Sequence, residues 1–213
     1  MHLKLYISPD SVVTMADGSY KSVSELTEGD EVQTYNMDDK SFDSANIHAN
    51  EQTSTNITRI SNIEISRTDI VKVTLSPEKL WVDGEHENEP GVWEETGDSK
   101  TIKLYNQVAV MCGANSGWLV ANQDKVIKTS ITDETDDDLK AKFGQLETGA
   151  QIQLDRGDDL KMRDVESIET MSEDGVETFR LIILEDGDSV FVDDVMLAVT
   201  RQRGENIPPE EDK

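Results

Sequence analysis

Short runs in which apolar and polar residues alternate recur along most of the chain. β-Branched and aromatic residues are frequent in these runs, and turn-forming pairs such as Asp-Gly and Gly-Asp separate them. A period of two places successive side chains on opposite faces of a strand, so the pattern predicts an all-β fold with few or no helices. The clearest runs are SVVTM, DEVQTY, IVKVTL, KLWV, TIKLYNQVAVM, GWLVA, KVIKTSI, AQIQL, FRLIIL and SVFV.

Turn and capping signals predict a few local elements more closely. The Asp-Gly pair at 17–18 favours the positive φ angles of a tight turn, which predicts a hairpin over 12–23. The Val-Ser-Glu-Leu that follows is expected to form one helical turn capped by Ser22 or Ser24. The only longer helical candidate is 133–146, where acidic residues crowd the first turn and lysines follow.

Three segments are polar and rich in turn-forming residues. We expect residues 37–58 and 83–100 to form exposed loops, because neither segment shows a clear alternating pattern. The tail, 203–213, cannot bury apolar area, so we expect it to be flexible until a partner orders it.

The charge of the chain restricts its partners. Its 213 residues include 20 lysines and arginines against 45 aspartates and glutamates, a net charge of -25. Such a chain repels phosphate backbones, so direct binding to nucleic acid is not expected. No apolar run approaches the roughly 20 residues that a membrane span requires. The segment Met1–Leu5 is too short for a signal peptide, so we expect a soluble protein that does not contact a membrane.

Candidate metal and cofactor sites are weak. Cys112 is the only cysteine, which excludes an intrachain disulfide and a thiolate-rich metal site, and its run VAVMCGA is typical of a small buried hydrophobe. His2, His48 and His86 lie in dissimilar polar contexts without the spacing of metal ligands. The acidic runs TDETDDDLK and DRGDDLKMRDVE suggest calcium, but they lack the glycine and the full ligand set of a calcium loop. With no glycine-rich phosphate loop either, we expect neither a metal nor a cofactor.

Four segments occur in an order that points to a known family. They are DSVVTMADGSYKSVSELTEGDEV, VKVTLSPEKLWVDG, QLETGAQIQL and DVESIETMSEDGVETFRLIILEDGDSVFVDDVMLAVT. The first resembles an opening Asp-Thr-x-Val motif followed by an Ala-Asp-Gly hairpin and a Gly-Asp-x-Val motif. The second resembles a strand and turn that carry a Thr-x-x-His motif. The third is similar to a Leu-x-x-Gly-Asp-x-Val motif at the start of a later strand, and the fourth is similar to closing strands that end in His-Asn. Together they resemble the Hint family, whose fold is shared by inteins and the hedgehog autoprocessing domain.

The resemblance implies a compact, pseudo-symmetric β-fold whose two termini lie close together. It divides the chain into the first part of a Hint-like core, 1–83, and the closing strands of that core, 145–202. Residues 84–144 are longer than the family requires between these parts, and their alternating runs predict a β-rich insertion that packs on the core. The remaining 203–213 form the flexible tail.

At the positions where the family carries its reactive groups, this chain has other residues. Tyr6 stands where the resemblance places a Cys or Ser nucleophile, and a phenol is not a competent nucleophile for an acyl shift. Lys79 replaces the histidine of Thr-x-x-His and is expected to be a surface turn residue. Arg180 stands in place of a supporting aspartate, and Val199 and Thr200 stand in place of the final His-Asn pair. The catalytic site is therefore expected to be degenerate.

An active alternative stays open. A self-processing domain could use Ser8 or Ser11 as an unusual nucleophile, with Lys79 as the base. Ser8 lies two residues beyond the expected position, which moves it about 6 to 7 Å along a strand. Asn206 is the only asparagine beyond the closing strands, and it has no adjacent histidine.

Tryptophan is enriched at the centres of protein interfaces, so the three tryptophans are candidates for contact with a partner. We expect Trp81, within the KLWV run, to be part of the core. Trp93 lies in a polar segment and is the first interface candidate, followed by Trp118. Ile207 and Pro208 of the tail form a second candidate contact that orders on binding.

These observations favour a non-catalytic structural or interaction module that binds other protein subunits of a larger assembly. Acidic composition on a degenerate Hint-like scaffold looks like the small accessory proteins of tailed-bacteriophage particles, in the head, neck or baseplate. The expected location is therefore a virion or the cytoplasm of an infected bacterium. Because a fold does not fix a function, this assignment rests on analogy.

Overall fold

The computed structural model describes residues 3–35, 52–84, 89–112, 117–122, 144–153, 161–186 and 189–198. Within these ranges, helical structure is limited to two short 3-10 turns, Val23–Glu25 and Arg67–Asp69, and strands dominate. None of the helical segments in the same ranges is long and apolar enough to cross a membrane. The prediction of an all-β fold with few or no helices is confirmed.

The strands are numbered in chain order. They are β1 (Leu3–Ile7), β2 (Val12–Thr14), β3 (Tyr20–Ser22), β4 (Glu31–Tyr35), β5 (Gln52–Ser66), β6 (Ile70–Leu75), β7 (Glu78–Val82), β8 (Val92–Thr96), β9 (Lys100–Tyr105), β10 (Ala109–Cys112), β11 (Gly117–Val120), β12 (Gly144–Gln145), β13 (Gln151–Gln153), β14 (Lys161–Thr170), β15 (Val176–Leu184), β16 (Ser189–Val192) and β17 (Val195–Ala198).

The described strands form two sheets. In the larger sheet the order is β4-β5-β15-β1-β9-β6-β14-β7-β8, and β13 pairs with β14 beside this path. In the smaller sheet the order is β12-β11-β10-β17-β16-β2-β3. Strands from the beginning and the end of the chain are neighbours in both sheets, since β1 pairs with β15 and β2 pairs with β16.

The main core contains apolar side chains from both sheets. Leu5 and Ile7 of β1 belong to it, together with Val110 of β10 and Leu197 of β17. Tyr6 lies between Leu5 and Ile7 and joins a second, smaller cluster. Because successive side chains of a strand point to opposite faces, β1 is covered by apolar residues on both of its faces.

The predicted hairpin over 12–23 is confirmed. β2 and β3 pair in antiparallel register with Val13 opposite Lys21, and Gly18 has a φ of 83°, in the left-handed region that favours glycine. The turn after it is also present, as the 3-10 segment Val23–Glu25. Ser22 occupies the position before this turn but makes no side-chain capping bond, and its hydroxyl lies 2.7 Å from that of Ser24.

The two predicted loops are wrong where they overlap strands. Residues 52–58 belong to the long strand β5, which pairs with β4 over residues 52–56 and with β15 from Ile57 onward. Residues 92–96 form β8, which pairs with β7 along its full length. In both cases pairing with a strand elsewhere in the chain outweighs a polar local composition. Residues 37–51 lie outside the described part of the chain.

Within the proposed insertion, 84–144, the described strands are part of the sheets. β9 pairs with both β1 and β6, and β10 pairs with β17. The division of the chain into a core and an insertion stays a prediction. The predicted helix over 133–146 lies outside the described residues except at its end, where Gly144–Gln145 forms β12. The tail also lies outside them.

Candidate functional site

The position that the resemblance assigns to a nucleophile lies inside a strand. Tyr6 is the fourth residue of β1, opposite Leu181 of β15, and only 6% of its surface is exposed. Its ring centroid is 5.1 Å from that of Tyr105, with the two planes tilted by 50°. Phe179 and Ile65 belong to the same apolar cluster. At this position the phenol ring therefore acts as a packing group.

The residues before Tyr6 are also part of the fold. Leu3, Lys4 and Leu5 pair in register with β15, and Leu5 is 1% exposed within the main core. In a self-processing domain, the bond before the nucleophile is the one that breaks. Here that bond joins two buried residues in the middle of a paired strand.

The alternative nucleophiles follow β1 directly. Ser8 and Ser11 are both buried, and the backbone N–H of Ser11 donates to the carbonyl oxygen of Ser8 at 3.1 Å. The Ser8 hydroxyl oxygen accepts a long bond of 3.4 Å from the N–H of Asp10. This geometry is that of a tight turn leading from β1 into β2.

The turn that the resemblance assigns to Thr-x-x-His connects β6 to β7 and contacts β14 at Asp164. The Ser76 N–H donates to the Asp164 carbonyl at 2.8 Å, and the Asp164 N–H donates to the Ser76 hydroxyl at 2.9 Å. The ammonium of Lys79 lies 2.5 Å from one Asp164 carboxylate oxygen and 3.9 Å from Glu95. The expectation that Lys79 is a surface turn residue is wrong, because it lies in β7 and its side chain is 20% exposed.

A β-bulge lies beside this cluster. Val165 pairs with Leu75 and Ser167 pairs with Thr74, so Glu166 is an extra residue in β14. A bulge locally re-aims the side chains of its strand. Glu166 lies two residues after Asp164, where β14 has passed from pairing with β7 to pairing with β6.

The ion pair determines what Lys79 can do chemically. Its hydrogen bond to Asp164 is the main reason that the pKa of Lys79 is raised above its ordinary value, and the nearby carboxylates act in the same direction. A lysine with a raised pKa is protonated throughout the neutral range, so it cannot accept a proton from a hydroxyl there. The contacts of Asp164 with Ser76 and Lys79 therefore connect β14 to β7 and to the end of β6.

Arg180 has a similar structural contact. It lies in β15 opposite Ile7, and its guanidinium donates to the side-chain oxygen of Asn62 at 3.0 Å and to the carbonyl of Leu26 at 3.1 Å. These bonds connect β15 to β5 and to the segment that follows the first 3-10 turn. Val199 and Thr200 lie outside the described residues.

The sequence did not reveal the role of Asp193, in the turn between β16 and β17. Asp193 and Asp194 have φ angles of 52° and 65°, as a two-residue turn of type I′ requires. The Asp193 carboxylate is buried, accepts the N–H of Val12 at 3.2 Å and lies 2.8 Å from the ammonium of Lys100. The two adjacent aspartates between apolar runs indicate a turn in the sequence. Nothing in the sequence indicates that Asp193 contacts Val12 and Lys100.

The β7–β8 hairpin brings two of the three tryptophans together. Trp81 lies directly opposite Trp93, with ring centroids 5.3 Å apart and planes at 68°, an edge-to-face arrangement. Trp81 is 43% exposed, so its predicted place in the core is wrong. Trp93 is half-buried against it, in a strand and not in a loop. Trp118 lies in β11 opposite Met111, and its side chain is outside the described part.

The remaining candidates offer no reactive centre in the described part of the chain. Cys112 is fully buried, and burial raises the pKa of its thiol to about 12, which keeps the thiol protonated. Among the described residues, no group of three or more His, Cys, Asp or Glu is arranged to hold a metal ion. His2, His48, His86, Asn206, Ile207 and Pro208 all lie outside the described ranges.

Comparisons with known proteins identify the fold. No family model and no curated protein matches the sequence. Among solved structures, the chain is similar to a variant of the Ssp DnaB mini-intein, with a TM-score of 0.51 and 14% identity over 94% of this chain and 96% of that one. It is also similar to a bacterial intein-like domain from Clostridium thermocellum, with a TM-score of 0.52 and 13% identity over 92% and 98%. At these identities the similarity shows the fold alone: the chain has an intein-like, all-β fold.

Proposed function

We propose that this chain is a non-catalytic interaction module on an intein-like fold, a small subunit of a larger protein assembly. The observation that carries the proposal is the position of the Leu5–Tyr6 bond in the middle of β1. Both residues are buried, and β1 is paired with β15 on either side of this bond. Cleavage there would separate the first residues of β1 from the rest of a core strand.

The other replaced positions support the same function. Lys79 is held by Asp164 in a form that cannot act as a base at neutral pH, and Arg180 is occupied by structural hydrogen bonds. Ser8 and Ser11 are buried in a turn. A chain that keeps the strands of this fold with such residues is suited to presenting a surface.

A particle of a tailed bacteriophage is the assembly that we propose, with the chain in the head, neck or baseplate. The support is compositional: a net charge of -25 keeps free copies soluble and apart until they meet a partner. On this proposal the partners are other protein subunits, with no direct contact to nucleic acid or a membrane.

The test is the intact mass of the purified full chain during prolonged incubation, with and without added thiol. A chain that stays at 23.8 kDa under both conditions agrees with the proposal. Fragments that correspond to cleavage near residue 7 or 200 would contradict it. In that event the Ser8→Ala and Ser11→Ala variants identify the nucleophile, because replacing the reacting hydroxyl stops the cleavage.

A further inference from the structure

The β7–β8 hairpin carries an unusual share of exposed apolar surface. Five large hydrophobic residues are exposed in the described part of the chain, and three of them, Trp81, Val82 and Val92, lie on this hairpin. Val82 and Val92 lie opposite each other, as Trp81 and Trp93 do. Exposed apolar residues that cluster in this way mark a site of protein contact.

The apolar side chains lie on both faces of the hairpin. Trp81 and Trp93 share one face, and Val82 and Val92, one residue away along each strand, point to the other. A partner that docked flat on one face would leave the other exposed. An added strand places its own side chains alternately on both faces, so it can cover the tryptophan pair and the valine pair together.

The edge needed for such pairing is available. β8 is the last strand in the order of the larger sheet, and no described strand pairs with its outer edge. An unpaired edge presents a row of backbone N–H and C=O groups to any extended segment. Its five residues, Val92–Thr96, span about 17 Å, enough for one short strand.

The charges of β8 identify the chemistry of the partner. Glu94 and Glu95 follow the apolar residues Val92 and Trp93 and are exposed on opposite faces. If a second copy of the chain added its β8 in parallel register, each glutamate would lie opposite the same glutamate of the other copy. In full antiparallel overlap, the Glu94 side chains of the two copies would lie opposite each other. Like charges directly opposite each other destabilise strand pairing, and the net charge of -25 on each copy adds to the repulsion, so a basic partner segment is favoured over a second copy as the occupant.

On the basis of the proposed function, we infer that the outer edge of β8 accepts an extended segment of a partner protein by strand addition. The segment has apolar residues beside Val92 and Trp93 and lysine or arginine beside Glu94 and Glu95. Backbone hydrogen bonds supply affinity in this mode of recognition, and the alternate side chains supply specificity.

The probe is a labelled synthetic peptide of about ten residues, with valine and isoleucine in one half and lysine in the other. It is made in both sequence orders, because a strand can be added in either direction. We expect one order to bind the full chain in a fluorescence polarisation assay, with an affinity that falls as salt rises. Failure of both orders to bind overturns the inference.

Matched variants show whether the peptide uses this edge. Val92→Thr keeps the β-branched shape but removes the apolar contact, and its control is Val176→Thr, since both valines are 55% exposed. Glu94→Lys reverses a charge on β8, and its control, Glu64→Lys, makes the same change on β5. We expect Glu94→Lys to weaken binding about tenfold and its control to have little effect. Equal effects of variant and control would show a general attraction to the acidic chain and overturn the inference.

Peptides methylated on alternate backbone nitrogens test strand addition itself. Successive N–H groups of a strand point to opposite edges, so methylating one set abolishes pairing with β8 and methylating the other leaves it intact. Similar binding of both sets overturns strand addition.

Sedimentation of the full chain tests whether a second copy occupies the edge instead. If the chain forms a dimer and Glu94→Lys abolishes that dimer, the choice of a basic partner is overturned. A chain that stays intact but binds no peptide overturns this inference alone, whereas self-cleavage overturns the proposed function.

Discussion

Replacing Leu5 by alanine tests whether the residues before Tyr6, the position that the resemblance assigns to a nucleophile, belong to the core. Leu5 is 1% exposed and packs in the main cluster. Loss of its side chain beyond Cβ removes about 2 to 3 kcal/mol of burial free energy, and the cavity left behind brings the total to about 3 to 5 kcal/mol. For a chain of this length, that loss lowers the unfolding midpoint temperature by about 6 to 20 °C.

The assay is urea and thermal unfolding followed by tryptophan fluorescence. Val176→Ala is the control, because Val176 is 55% exposed and its truncation changes the free energy of unfolding by about 0.5 kcal/mol or less. If Leu5→Ala is no more destabilising than this control, the first residues do not support the core. The argument that cleavage before Tyr6 would damage the fold then fails.

Three further predictions concern the ion pair, the hairpin and the cysteine. Because the pKa of Lys79 is raised by Asp164, the stabilisation is complete below its ordinary pKa of 10.5 and is lost as pH rises through the folded value. The difference in unfolding free energy between wild type and Lys79→Met should therefore shrink in that alkaline range; a difference that is constant with pH would contradict the ion pair. Gly91→Ala places a Cβ in steric conflict with the Trp81 ring, so we expect a changed near-ultraviolet circular dichroism of the tryptophan pair, and an unchanged spectrum would contradict this packing. Cys112 should resist a thiol reagent at pH 8 in the folded chain and react fully in denaturant; rapid labelling of the folded chain would show that it is not buried.

The sequence was sufficient for the fold class because its apolar runs are short, rich in β-branched residues and separated by turn-forming pairs, whether they alternate, as in β6, or are buried throughout, as in β16. The hairpin of β2 and β3 needed only its Asp-Gly turn and two short runs. β5 was missed over residues 52–58 because its inward and outward positions are both largely polar: Thr55 is buried between the exposed Ser54 and Asn56. Pairing with β4 over residues 52–56 and with β15 from Ile57 onward specifies this strand, and a single sequence contains no record of that pairing.

The candidate site could be predicted only in part, for a related reason. The resemblance located Tyr6, Lys79 and Arg180, but their partners are distant along the chain. Asp164 is 85 residues from Lys79, and Leu26 is 154 residues from Arg180. The pairing of Trp81 with Trp93 had little signal in the sequence: Trp81 lies in the KLWV run, but Trp93 lies in an acidic segment without a clear alternating pattern.

The three described residues at positions that the resemblance assigns to reactive groups all make tertiary contacts. Tyr6 packs on Tyr105, Lys79 pairs with Asp164, and Arg180 binds a backbone carbonyl. Each contact joins segments that are distant along the chain, so each stabilises tertiary pairing. Introducing one of the family's reactive groups at these positions would remove one such contact without completing a catalytic site. On the proposed function, self-processing would therefore require several changes at once, each of them destabilising alone.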